Sequence, residues 1–253
     1  MNNDKQIINA ATLSLFCNTN EARLRKPVRG FILEFPGLGG GSCMGGGMDF
    51  AEYGHGYAEI LAGEGILVAY TFPGPWSWMN RGAVRYCELV ADAIREKYQL
   101  PSETPWVVTG GSMGGMGALI YAAEAKIKPT ACVSVCPCVD VPACFETHEC
   151  FRRTLFRAVA DYEGEIADNL LKISPKHRIH DMPRIPYLLI NDCADELFPE
   201  WHMDTYVDEL RALGHSVEYD RLQDCGHGVI TPEAWEHILG FFRKHLGLTG
   251  DCL

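Results

Sequence analysis

Pro105-Trp106-Val107-Val108-Thr109-Gly110-Gly111-Ser112-Met113-Gly114-Gly115-Met116-Gly117-Ala118-Leu119-Ile120-Tyr121-Ala122-Ala123 changes character twice within nineteen residues. Residues 105–109 are a short apolar run of the kind that fills a buried parallel strand. Residues 115–123 are small and apolar, as in a helix packed tightly on a sheet. Gly110 and Gly114 flank Ser112 between them. A sharp strand-to-helix turn with backbones in close approach leaves no room for a Cβ at those two positions. The pattern predicts a serine whose Oγ stands exposed on the turn, with the Met113 N–H aimed into the same space.

A serine hydroxyl is a poor nucleophile until a base takes its proton, and the base needs a carboxylate to orient it. Downstream, residues 185–192 read as another buried strand, and Cys193-Ala194-Asp195-Glu196-Leu197-Phe198-Pro199 as the turn after it. Asp195 sits where a side chain at the carboxyl end of a strand reaches the crevice of an open α/β sheet. A helix over 201–213 follows, ended by Gly214 as a C-terminal cap. A last strand over 216–222 then leads into Asp224-Cys225-Gly226-His227-Gly228, which places His227 as the base. Asp195 is the expected acid. Asp192, nearer the strand interior, Asp224, beside the histidine, and Asp140, after the preceding strand, are the other carboxylates in reach of such a role.

With the order Ser112, Asp195, His227 in place, the chain resembles the α/β-hydrolase superfamily from about residue 11 to 246. Ser112-Met113-Gly114-Gly115-Met116-Gly117-Ala118-Leu119 is similar to the elbow of the esterase and prolyl-oligopeptidase-like branches, and most of all to the esterase-D-like enzymes. The resemblance implies an α/β-hydrolase fold, a mostly parallel central sheet with helices on both faces and a small cap. It carries the family's acid onto Asp195, through Asp195-x-x-Phe198-Pro199, and its base onto His227. It also implies an oxyanion hole built from the Met113 N–H and from the turn after an earlier strand, here Gly30-Phe31-Ile32-Leu33-Glu34-Phe35 followed by Pro36-Gly37-Leu38-Gly39-Gly40-Gly41. The family's usual histidine at the head of that turn is replaced by Pro36, which leaves the backbone donors in place. The second donor falls on Leu38, with Gly39 as the next choice.

Seven of the eleven residues from 37 to 47 are glycine. Such a run also suits a phosphate cradle. Here no Gly-Lys-Ser/Thr follows, and the glycines do not fit the dinucleotide fingerprint. A loop over the acyl site is the expected role, ordered when substrate binds.

The 253 residues suffice for one large domain with a substantial core, and 47% hydrophobic with 22% charged residues is ordinary for a globular protein. A net charge of −11 argues against nucleic acid and against an anionic membrane surface as partner. There is no apolar run of the roughly eighteen residues a membrane span requires. Asn9, Thr12 and Ser14 interrupt the apolar stretch near the N-terminus, the residues before it are not basic, and Phe16 is too bulky to precede a lipidated cysteine. Eleven cysteines without a leader indicate reduced thiols and a cytoplasmic location. Cys132, Cys136, Cys138, Cys144, His148 and Cys150 suggest a zinc site by density. They lack a paired C-x-x-C, and those of 132–138 alternate along an apolar strand as small hydrophobes do. No metal and no organic cofactor is expected.

Strand-like and helix-like stretches alternate throughout, as in right-handed β-α-β units. Residues 11–17 read as a strand, 66–72 as another, and 81–98 as an amphipathic helix burying Val84, Leu89, Ala91, Ile94 and Tyr98. Residues 140–182 carry apolar side chains among charges, the pattern of short helices in a small cap. Trp76 and Trp78, with Met44, Met48 and Met116, either line an apolar substrate pocket beside the serine or pack beneath that cap. The expected reaction is cleavage of a small acyl ester, a carboxylesterase activity. A prolyl-oligopeptidase-like peptidase, an acyltransferase with the same three residues, and a silent binding protein are the alternatives. The chain is short for the propeller of the peptidases and has no evident Glu-Glu pair, which favours the ester.

Overall fold

The computed structural model describes residues 7–39 and 56–248. Among the described residues seven strands form one sheet in the order β1-β3-β2-β4-β5-β6-β7. They are β1 Cys17–Thr19, β2 Gly30–Phe35, β3 Ile66–Thr71, β4 Trp106–Gly111, β5 Ala131–Val135, β6 Tyr187–Asp192 and β7 Val217–Leu222. β1 runs antiparallel to β3, and every other pairing is parallel. This is the α/β-hydrolase arrangement.

The period of two along each strand divides the apolar side chains between two cores. Phe31, Leu33, Trp106, Val108, Cys132, Tyr187 and Leu189 point to one face, where α2 (Arg81–Tyr98), α3 (Met113–Glu124) and α7 (Glu200–Ala212) cover them. Ile32, Val107, Val133, Leu188 and Ile190 point to the other, covered by α1 (Tyr57–Gly63) and α8 (Pro232–His245). Cys132 is one of the core residues, a small apolar filler at full burial. The α2 helix starts at Asn80, whose side chain accepts from the Ala83 N–H at 3.0 Å, and ends at Gln99 in the left-handed conformation. α3 is buried over nearly its whole surface, which explains its run of Gly, Ala and Leu.

Between β5 and β6 lie α4 (Val141–Thr147), α5 (Glu149–Val159), α6 (Ile166–Lys172) and a 3-10 segment, Lys176–Asp181. α5 buries Phe151, Leu155, Ala158 and Val159, while Phe156 is exposed.

At the N-terminal edge the strand expected over 11–17 is replaced by a 3-10 turn, Leu13–Leu15, and the three-residue β1. The polar side chains are the reason. Asn9 N–H donates to Thr12 Oγ1 at 3.1 Å, and Ala11 N–H to Asn9 Oδ1 at 2.9 Å, local bonds that compete with a ladder. Among the described residues no helix is long and apolar enough to cross a membrane.

The outer strand β7 is tied to α8 by charge. His237 Nδ1 lies 2.9 Å from Asp220 Oδ2 and its Nε2 2.8 Å from Glu218 Oε2, while Lys244 Nζ reaches Glu218 Oε1 at 3.1 Å. Partial burial pushes the imidazole pKa down, but the carboxylates of Glu218 and Asp220 outweigh it and hold the pKa above the ordinary histidine value. The stabilisation this gives is complete below about pH 6.5, the unfolded value, and is lost as pH rises through the elevated native one. The difference in thermal midpoint between the protein and a His237→Asn variant is therefore expected to be largest in mildly acid buffer and to shrink on the alkaline side. A gap that widens with pH would contradict the ion-pair account.

Candidate active site

β4 leaves the sheet at Gly111 and the chain turns at once into α3. Ser112 makes that turn at φ 56°, ψ −123°, a left-handed conformation rare outside glycine. Its N–H donates to the Val135 carbonyl at 2.9 Å, so β5 holds the strained residue in place. A Cβ on Gly114 would lie 2.1 Å from the Phe35 carbonyl oxygen, and one on Gly110 would lie 2.6 Å from the Gly114 backbone. Both flanking glycines are therefore required by close approach rather than by φ.

His227 sits on the loop after β7. Its Nε2 lies 2.9 Å from Ser112 Oγ and its Nδ1 2.9 Å from Asp195 Oδ2. The Asp195 side chain is fully buried, and its Oδ1 accepts from the N–H groups of Leu197 and Phe198, each at 2.9 Å. The Phe198 ring packs edge-on to the imidazole with centroids 5.2 Å apart. The spacing Asp195-x-x-Phe198 thus serves two ends, one N–H on the carboxylate and one ring on the imidazole.

The three other carboxylates have different partners. Asp192 ends β6 fully buried; it accepts from Ala194 N–H at 2.8 Å on its own loop and from Cys225 and Gly226 N–H, both at 3.0 Å, on the histidine loop. Burial pushes its carboxyl pKa up, but the N–H groups of Gly226, Ala194 and Cys225 outweigh it and hold the value below the usual carboxylate range. Asp192 is the staple between the loops that carry Asp195 and His227. Asp140 caps α4 through the Ala143 N–H and pairs with Lys176 at 2.7 Å. Asp224 is exposed on the turn at φ 56°.

Of the backbone donors after β2, the Gly39 N–H donates to the Pro75 carbonyl at 2.8 Å and is spent there. Leu38 lines the cavity in front of Ser112. That cavity measures about 770 Å³ and is walled mainly by apolar residues, among them Leu38, Val135, Phe151, Leu197, Ile230 and Trp235. The structure does not bring the tryptophans of the 73–79 loop to it. Trp78 is buried, donates Nε1–H to Thr154 Oγ1 at 3.0 Å and packs on Phe151. A left-handed turn through Trp78 and Met79 directs the chain this way. Trp76 stands exposed against Glu149, Cys150 and Arg153, Met116 is in the core, and Met44 and Met48 lie outside the described residues, as does most of the glycine run.

Several cavity residues went unread in the sequence: Glu34, Tyr57, Trp235 and Ile238. One signal was available. Glu34 is the single charge in an otherwise apolar strand.

No three of the Cys and His residues in 132–150 converge. Among the described residues the only trio able to offer donors to one metal ion is Cys136, Asp195 and His227, with atoms within 4.8 Å. There the imidazole and carboxylate already bond each other, and burial pushes the Cys136 thiol up to about 11, so the donor set is committed elsewhere.

Residues 79–249 match the prolyl oligopeptidase family. No protein of curated function matches the chain by sequence. Among solved structures, a puromycin hydrolase superposes with TM-score 0.68 at 19% identity, over 88% of this chain and 35% of its own. The acylaminoacyl peptidase of Pyrococcus horikoshii gives 0.64 at 17%, over 91% and 39%. Esterase B of Lactobacillus rhamnosis gives 0.64 at 14%, over 89% and 78%. The chain thus spans little more than a third of the length of the first two. At these identities the likeness is one of fold.

Two substitutions test the geometry. Gly114→Ala is expected to cost about 3 kcal/mol or more, read from the urea midpoint, because the new methyl meets backbone that cannot move aside. Asp192→Asn is expected to lower the thermal midpoint at neutral pH and to slow phosphonylation of Ser112 by loosening both loops. Since the native carboxyl is depressed, its stabilisation is full above about pH 3.9 and lost as pH falls through the lowered value, so the stability gap should close only in acid. A variant that matches the parent in midpoint and labelling rate at pH 7 would remove the staple role.

Proposed function

The chain belongs to the prolyl oligopeptidase family, and from that premise we propose that it is a serine hydrolase cleaving a small-molecule acyl ester through an acyl-enzyme. The observation that carries this reading is the continuous pair of 2.9 Å contacts from Ser112 Oγ through His227 to Asp195, opening onto a largely apolar cavity.

His227 Nε2 takes the proton from Ser112 Oγ as the oxygen attacks the substrate carbonyl. Asp195 keeps the other imidazole proton on Nδ1 and stabilises the imidazolium that forms. The N–H groups of Leu38 and Met113 receive the charge on the carbonyl oxygen, a contribution of about 3–4 kcal/mol per donor in enzymes of this kind. Collapse of the tetrahedral intermediate breaks the ester bond, and His227 passes its proton to the departing alkoxide. Water, deprotonated by the same imidazole, then attacks the acyl carbonyl; the bond to Ser112 Oγ breaks, the acid leaves, and His227 returns the proton to Ser112 Oγ. The α4–α6 segment, which contributes Phe151 to the cavity, acts in this reading as a cap that helps define the acyl group accepted.

The family match supports a second reading, cleavage of a peptide or aminoacyl amide by the same three residues. The first half-reaction is identical, so the leaving group decides between them.

A fluorophosphonate probe is expected to form one adduct, on Ser112. Ser112→Ala and His227→Ala should each lower the turnover of short 4-nitrophenyl esters by about 10³-fold or more. Matched 4-nitroanilides assayed beside the esters separate the two readings. Absence of both adduct and turnover in folded protein would overturn the hydrolase reading.

A further inference from the structure

A second cavity, of about 390 Å³, is bounded by α2, α3 and the segment between β5 and β6, and shares no lining residue with the cavity in front of Ser112. In a chain of net charge −11 its lining is cationic, with five lysines and arginines against two glutamates. Both glutamates are already paired. Glu124 Oε1 meets Arg178 Nη2 at 2.5 Å, and Glu88 Oε2 meets Lys126 Nζ at 3.1 Å. Arg85 has partners of its own. The Arg81 guanidinium donates to the Asp161 carbonyl, and Lys172 Nζ to Asn169 Oδ1 at 2.7 Å; neither has a carboxylate partner among the described residues.

These two cations gather on one side chain. Arg81 Cζ lies 4.9 Å and Lys172 Nζ 5.4 Å from the centroid of the Tyr162 ring, and all three residues line the cavity. The Tyr162 hydroxyl accepts from the Arg81 backbone N–H at 2.8 Å, which leaves its own proton to donate. The apolar part of the lining is Met79, Val84 and Ile120, all buried. Arg178 fixes the wall opposite α2, donating to the Lys172 carbonyl at 3.0 Å while it pairs with Glu124 on α3.

Two positive charges around one phenol repel each other, and the ring quadrupole offsets only part of that repulsion. An anion in the cavity meets both. A guanidinium presents a fork of N–H donors that fits two oxygens of an oxyanion, and an ammonium adds a point charge. A doubly charged group answers two cations better than a singly charged one, and a phosphate monoester is largely a dianion near neutral pH. The cavity is larger than one phosphate group needs, and its remaining wall is apolar. We infer that it binds a phosphate monoester of a small organic molecule. The phosphate sits with Arg81, Lys172 and the Tyr162 hydroxyl, and the organic part against Met79, Val84 and Ile120. Because Arg81 opens α2 and Lys172 closes α6, the ligand bridges the helices on the sheet and the segment between β5 and β6. The site does not depend on Ser112 being a nucleophile.

The test is calorimetric titration of phenyl phosphate into the full chain at pH 7.5 and low salt, beside benzoate, which carries the same ring with one charge. Phenyl phosphate is expected to occupy one site per chain, to bind about 10-fold or more tightly than benzoate, and to weaken as salt is raised. Arg81→Gln and Lys172→Gln should each weaken it by about 10-fold, and Lys172→Arg should retain most of the affinity. Lys128→Gln, at an exposed lysine outside the cavity, should leave it unchanged. Arg81 and Lys172 are exposed, and the thermal midpoints of the ligand-free variants check that they fold. Phenyl phosphate should raise the midpoint of the parent but not of the Arg81→Gln, Lys172→Gln double variant. No saturable binding, equal affinity for phenyl phosphate and benzoate, or binding undiminished in the double variant would each overturn the inference.

Discussion

The Phe35 carbonyl occupies the space that a side chain at position 114 would need, and the rest of the site is arranged around this contact. It brings the end of β2 against the first turn of α3, with 2.1 Å between that oxygen and a hypothetical Cβ. The chain has no room for an ordinary turn there, so the change of direction is concentrated in one residue, Ser112, at positive φ. The same closeness carries the turn after β2 to Ser112, since Gly37 and Gly111 approach each other from the two strands. Ser112 and the turn after β2 are thus brought together by a single backbone packing event rather than by separate side-chain interactions.

How much of this was legible in the sequence depends on whether the signal was local. The elbow, the strand before it and the small-residue helix after it are consecutive, and their reading needed only glycine sterics. Asp195 and His227 were legible because each follows a recognisable strand at the same edge of a parallel sheet. What the sequence left undecided is which partner a polar group would take. Of the two places read for Trp78, beside the substrate or beneath the cap, the structure selects the second: a pair of left-handed residues, the Thr154 hydroxyl and the Phe151 ring seat it under α5. Gly39 looked like a second oxyanion donor until the Pro75 carbonyl, thirty-six residues away, claimed its N–H. The strand read over 11–17 dissolved into turns because Asn9 and Thr12 bond locally. Trp235 and Ile238, on a helix late in the chain, reach the cavity only through the folding of α8 across the sheet.

Four carboxylates lie close to the carboxyl end of the sheet, and what distinguishes them is the identity of their hydrogen-bond donors. Asp195 faces an imidazole and two N–H groups, Asp192 faces three backbone N–H groups and the Cys225 thiol, Asp140 faces a lysine and a helix start, and Glu34 has the Tyr57 phenol among its partners. Fixed backbone donors hold a carboxylate charged and immobile, which suits a positioning role. Residue type alone does not separate these roles; the strand from which each acid emerges and the loop it faces do.

The charges that bind β7 to α8 have a second effect, on what the sheet excludes. β7 is an outer strand of the described sheet, and an open edge presents unpaired N–H and C=O groups to any extended chain that approaches. Glu218, Asp220 and Arg221 stud this edge, and β1 at the opposite end is only three residues long and antiparallel. Neither border offers the long, flat, uncharged template on which strands of neighbouring molecules would add. The cluster that fastens the last helix thereby also guards a large, mostly parallel and strongly apolar sheet against growing from one molecule into the next.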